Sequence, residues 1–199
     1  MHNLAPSQKQ IDIIRYSWER VSEIRCAGDD RNVSSAHAFG LVFYDALFEL
    51  DPDAKKLFPN VYKQARALTG MISYIARAPS VTAPNLMEGA TMCCPGDKSK
   101  YDEADPEWLA HQMRELGARH YFYGVHAHHL DLVGKSFVEA LKRRLGDEYT
   151  DEIGDAWLKG HAYTTYHMRI GLETQRMWEM ERRTATTQAA SKPDACLIQ

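Results

Sequence analysis

The chain has 199 residues, 44% of them apolar, with 24 basic against 27 acidic side chains and a net charge of −3. That length suits one domain with a substantial core, and the balanced charge argues against nucleic acid as a partner. No run of about eighteen apolar residues is present to cross a membrane, and the opening MHNLAPSQKQ lacks the apolar stretch of a secretory signal.

In chain order, the pattern predicts helices throughout. Ser7 and Gln10 have the spacing of a capping box, and Ile11, Ile14, Trp18 and Val21 follow as an apolar stripe. A polar stretch with Gly28, Asp29, Asp30 and Asn32 leads to a second helix, capped by Ser34 or Ser35, whose face carries Phe39, Val42, Phe43, Ala46, Leu47 and Leu50. Asp51-Pro52 breaks it, and a short helix ends at Leu57-Phe58-Pro59. The next helix, from about Tyr62 to Ala78, sets Leu68, Met71, Ile72 and Ile75 on one side. From 79 to 105 the periodicity fails, with prolines at 79, 84 and 95 and glycines at 89 and 96. A span of that length is either functional or disordered. Asp105-Pro106 then caps and opens a helix that Gly124 stops, with Val125 where the chain turns back. A further helix covers 127–145 up to Gly146, and the last runs from near Thr150 to about Arg183. The expectation is an all-α domain over 1–183 with an irregular insertion at 79–105, followed by a disordered polar tail over 184–199.

Leu116 and His120 are four apart, hence one turn apart on one helix face. A histidine placed so at a helix end can present a ring nitrogen inside a pocket, and neutral imidazole is a common ligand of metals, haem iron included. The other reading is a hydrogen-bonded core histidine. On this segment alone the two stand level.

Several segments taken together resemble the globin family. LFELDPDAKKLFP is similar to the end of the globin second helix, the short third helix and the phenylalanine that packs on the haem. SWERV is similar to the first-helix tryptophan motif, and LGARHYFYGV followed by HHLDLVGKSFVEALKRRLGDEYTDEIGDAWLKGHAYTTY to the proximal helix and the two after it. The resemblance covers roughly residues 7 to 180, interrupted by the 79–105 span, which is longer than most globins have there. It implies a globin fold holding one haem b, with His120 as the iron ligand and Leu116 and Val125 beside it. On the opposite side it implies Phe58 packed on the haem, Tyr44 facing the sixth coordination position, and Gln64 and Leu68 on one helix face over the iron. A tyrosine and a glutamine there resemble bacterial single-domain globins and flavohaemoglobins, and imply tight binding of dioxygen, nitric oxide and carbon monoxide.

The chain also departs from the flavohaemoglobin pattern. The positions that carry a tyrosine and a glutamate behind the proximal histidine hold Leu130 and Leu172, and the adjacent Glu173 is rotated by about 100° on a helix. No reductase segment follows, so repeated turnover would need an external reductase. Reversible gas binding is therefore expected first, a nitric oxide dioxygenase or peroxidase-type enzyme second, and a membrane-tethered gas or redox sensor third. Bulk oxygen transport fits less well with two distal donors.

The remaining clusters read more plainly. His126, His128 and His129 open a helix with no carboxylate or thiolate at ligand spacing, which makes them a solvated helix start. His37, His161 and His167 read as surface or satisfied core residues, and Tyr163, Tyr166 and Trp178 as core and helix-packing positions. Cys26, Cys93, Cys94 and Cys196 show neither a paired framework nor zinc spacing, as in a reducing cytoplasm. Cys93-Cys94 reads as a pair of exposed free thiols. Cys196-Leu197-Ile198-Gln199 fits a prenylation signal at Cys196, and a single prenyl chain would give reversible membrane contact.

Overall fold

The computed structural model describes residues 5–77 and 106–190. The expected insertion at 79–105 with Cys93 and Cys94, the Asp105 cap and the end of the tail with Cys196 lie outside the described residues. Among the described residues are six α-helices, α1 Gln8–Glu23, α2 Ser35–Leu50, α3 Val61–Arg77, α4 Pro106–Phe122, α5 Ala127–Leu145 and α6 Asp151–Ala190, with a 3-10 turn over Pro52–Leu57 and another over Gly146–Glu148. No strand occurs among the described residues, and no helix there is long and apolar enough to cross a membrane.

Local chemistry sets the helix starts. The Ser7 hydroxyl accepts the Gln10 N–H at 3.3 Å while the Gln10 side chain accepts the Ser7 N–H at 2.9 Å, a reciprocal cap that satisfies two orphan donors. Ser34, not Ser35, caps α2, accepting the His37 N–H at 3.2 Å. Asp51 Oδ1 accepts from the Asp53 and Ala54 N–H groups at 3.0 and 3.4 Å, which turns the chain out of α2 into the 3-10 turn that ends beside Phe58.

Packing then follows the apolar faces. α2 lies against α3 and α5, α1 bridges α2, α3 and α6, and α4 packs on α6. The main core holds a continuous file of rings: Trp18 on Phe39 at 5.5 Å, Phe39 on Trp157 at 6.2 Å, Trp157 on Phe137 at 5.3 Å and Phe137 on Phe43 at 4.7 Å between centroids. Both indole N–H groups are satisfied, Trp157 by the Ser17 hydroxyl at 2.9 Å and Trp18 by the Ser73 hydroxyl at 3.2 Å, so the rings are buried without leaving a donor unpaired.

α4 and α6 approach backbone to backbone. A Cβ at Gly117 would fall 1.9 Å from the Met168 carbonyl oxygen, and one at Gly171 1.8 Å from the Arg114 carbonyl oxygen. Each helix thus gives the other a glycine at the crossing. The linker after α1 is more than polar spacing. The buried Asp29 carboxylate pairs with the buried Arg144 guanidinium of α5, whose other nitrogen donates to the Ile24 carbonyl at 2.6 Å. The Arg144 hydrogen bond is the main reason the Asp29 carboxyl sits below its usual range.

Two expectations are corrected at the carboxyl end. α6 does not stop near Arg183 but continues to Ala190, so residues 184–190 are helix and not disordered tail. The Thr184, Thr186 and Thr187 hydroxyls donate to the carbonyls four residues back, each at 2.9 Å, which fits threonine to a helix already nucleated by its packed half. Tyr166 and Trp178 are 48% and 60% exposed and are not core, although Tyr163 is buried. Their apolar surface carried the expectation, but they lie on the side of α6 turned away from its packed neighbours.

Alanine at Gly117 or Gly171 should destabilise the protein by about 3 kcal/mol through overpacking. Gly70→Ala on α3, where an added Cβ meets nothing within 4 Å, should stabilise it by about 1 kcal/mol. Urea unfolding distinguishes the two signs. Asp29→Ala leaves Arg144 charged and uncompensated in the core and should cost about 3–5 kcal/mol in the same measurement.

Candidate functional site

His120 lies in the last turn of α4, half-buried, and its Nδ1 is 2.7 Å from the Leu116 carbonyl oxygen. A carbonyl only accepts, so in the neutral ring the proton sits on Nδ1 and the lone pair on Nε2. Burial, which disfavours the imidazolium, lowers the His120 pKa from its ordinary value despite that hydrogen bond. The result is a neutral imidazole with its free nitrogen turned away from its own helix backbone. Leu116, the predicted partner one turn earlier, acts through its carbonyl as well as its side chain, which packs with Leu109, Met113 and Tyr163.

The chain leaves α4 at Gly124, whose φ of +74° lies in the left-handed region that favours glycine. The Val125 N–H returns to the His120 carbonyl at 3.2 Å, and Val125 is half-buried. Gly124 also faces the Leu57 side chain, 3.6 Å from where a Cβ would stand. The exit of the histidine helix therefore abuts the 3-10 turn that carries Phe58.

On that other side, Tyr44 is buried and packs on Phe58 at 4.9 Å and on Phe43 at 5.1 Å between ring centroids. Loss of solvent pushes its phenol pKa up to about 12, so the hydroxyl keeps its proton as a donor. No hydrogen bond to the rest of the chain engages that hydroxyl among the described residues. Gln64 and Leu68 are both half-buried on one side of α3, and Leu68 packs against the core cluster that contains Tyr44. Leu130 and Leu172, 5% and 2% exposed, fill the two positions where a tyrosine and a glutamate were noted as missing, while Glu173 pairs with Arg176. The His120 Nδ1 thus meets a neutral carbonyl and, among the described residues, no carboxylate.

Of the predicted site residues, Tyr44, Phe58 and Leu68 meet in one cluster, and His120, Leu116 and Val125 form a separate set at the end of α4. α3 packs on α2 and α1, and α4 on α6, so the two faces are held by different parts of the core. The chemistry of the donor set fits haem: one neutral imidazole with a free nitrogen, aromatic and aliphatic packing surface, and a protonated phenol. His161 is a satisfied core histidine. Its Nε2 is 2.8 Å from the Thr165 hydroxyl, the Leu130 carbonyl bonds its ring, and burial drives its pKa down to about 4. His37, with Nε2 3.0 Å from the Tyr62 carbonyl, is equally structural.

Comparison with known proteins gives a consistent result. The Globin family model matches residues 100–166, about a third of the chain, which take in α4, α5 and the first sixteen residues of α6. An anaerobic nitrite reductase of Gossypium hirsutum is 29% identical over 67% of this chain and 76% of its own. A neuroglobin of Danio rerio is 27% identical over 83% and 91%, and a flavohaemoprotein of Rhizobium meliloti 26% over 65% of this chain but only 28% of that protein. Among solved structures, an engineered carbene transferase from Rhodothermus marinus superposes with a TM-score of 0.63 at 18% identity, covering 88% of this chain and 99% of that one. The Malassezia yamatoensis flavohaemoglobin with bound FAD and haem gives 0.53 at 18% identity, covering 87% of this chain and 37% of its own. With the helix order and the helix-end histidine already in place, these matches show a globin fold and a chain similar to globins over most of its length.

Proposed function

We propose that the protein holds one haem b and binds dioxygen and other small diatomic gases reversibly and tightly, with His120 as the only protein ligand of the iron on its side. When bound, haem supplies an iron centre that takes the gas; the chain supplies everything that tunes it. The observation that carries this reading is the His120–Leu116 hydrogen bond, which orients the ring and reserves Nε2. Phe58 would pack on the haem plane, with Leu68, Leu116 and Val125 as apolar wall. Tyr44 would aim its hydroxyl, and Gln64 its amide, at a gas molecule that carries partial negative charge. Hydrogen bonds to charged groups are worth about 1.5–3 kcal/mol, hence about 10- to 100-fold in affinity.

A second reading is redox chemistry on nitrogen oxides with electrons from an external reductase. It is favoured by the nitrite reductases and the flavohaemoprotein among the relatives. The proximal side weighs against it. A neutral carbonyl behind His120, in place of a carboxylate, makes the imidazole a weaker electron donor. Reversible binding is the activity that this arrangement supports best.

His120→Ala should abolish stoichiometric haem binding, or leave haem whose spectrum recovers only with added imidazole; a variant with the wild-type absorption spectrum would overturn the assignment. Tyr44→Phe keeps the ring and removes one donor. Flash photolysis and stopped-flow should then show dioxygen release faster by about 10- to 100-fold. Because the Tyr44 phenol titrates only near pH 12, the wild-type release rate should not change through loss of this donor between about pH 7 and 10. A release rate unaltered by the substitution would place Tyr44 away from the ligand.

A further inference from the structure

A second group of ligating side chains lies outside the haem site. Asp51 ends α2 and caps the 3-10 turn, while His128 and His129 stand in the first turn of α5. One donor atom from each, a carboxylate oxygen and two ring nitrogens, all lie within 4.8 Å of one another. The His128 and His129 ring centroids are 4.0 Å apart. These histidines were expected to be a solvated helix start because no carboxylate lay at ligand spacing in the sequence. The fold brings one in from α2.

The chemistry of the group is selective. Two imidazoles and one carboxylate suit a borderline divalent ion such as zinc, with a fourth position left to water. Both backbone bonds to Asp51 fall on Oδ1, which leaves Oδ2 for an ion. The His129 Nδ1 accepts the His126 N–H at 3.0 Å. A neutral ring has one lone pair, so an incoming ion must displace that cap, and water can then satisfy the exposed His126 N–H.

We propose that Asp51, His128 and His129 bind one zinc-class divalent cation and so clamp the corner bearing Phe58 to the start of α5. The position gives the site a consequence. Asp51 holds the turn that leads to Phe58, and α5 begins just after the chain leaves His120, so a bound ion would tie the two walls of the haem site together from outside.

Isothermal titration of the haem-loaded protein with zinc chloride tests this directly. One equivalent should bind in the micromolar range. His128→Ala and His129→Ala should each weaken binding by at least about tenfold, since even partners one shell out cost that much. Asp51→Asn, which keeps an oxygen to cap the turn, should weaken it too, whereas His126→Ala should keep the wild-type affinity. Circular dichroism and the Soret band, unchanged across the set, would show that each variant is folded and loaded. The site is overturned if wild type shows no saturable binding below millimolar zinc, if the His128 and His129 variants bind as wild type does, or if the His126 substitution alone removes binding.

Discussion

The position of Tyr44 depends on a file of aromatic rings that runs through the whole core. From Trp18 the contacts pass through Phe39, Trp157, Phe137 and Phe43 to Tyr44 and then Phe58. Each ring is wedged by residues from other helices, so the file joins α1, α2, α5 and α6 in one close-packed unit. Tyr44 is its last buried member and Phe58 its half-buried tip. The Tyr44 hydroxyl is therefore set by the core and not by a loop, and a phenol stripped of solvent is held there with its proton in place.

The helix that carries His120 is positioned by a different device. α4 owes its place to the crossing with α6, where Gly117 and Gly171 let the two backbones touch. Gly117 lies between Leu116 and His120 on the same helix, so the contact that docks α4 is made within a turn of the histidine. Close docking fixes the height of the helix, and the hydrogen bond to the Leu116 carbonyl fixes the rotation of the ring. Both are backbone constraints, and neither draws on a charged partner. The histidine ring is thus held firmly by neutral groups, which fits the reversible binding proposed for it.

Polar groups serve as fasteners at the edges. Asp29 and Arg144 tie the loop after α1 to α5 in the interior, and Asp51 shapes the corner before Phe58. A buried ion pair adds little net stability over an apolar contact of equal volume but is costly to break. Its effect here is to hold one loop in one place at the end of the core.

Much of the site was legible in the sequence because it is local. The His120–Leu116 relation is one helical turn, Asp51-Pro52 announces a break, and the Ser7 cap is a four-residue motif. Apolar periodicity likewise marked the helices, since a helix buries a face whatever it packs against. Tyr44 and Gln64 came from resemblance and not from spacing, and the structure puts the first in the core and the second on the side of α3 that Leu68 shares. What the sequence could not determine involves partners far apart in the chain. Trp178 has the composition of a core residue, and only its place on the side of α6 turned away from the packed neighbours leaves it in solvent. Asp29 reads as one polar residue in a linker until Arg144 comes beside it. The glycines at 117 and 171 look like weak points in helices until the two backbones are seen to meet there. His128 and His129 lacked a carboxylate until the turn after α2 brought Asp51 to them. Side-chain spacing along a helix is set by its 3.6-residue period, but proximity between helices is set by how the whole core closes.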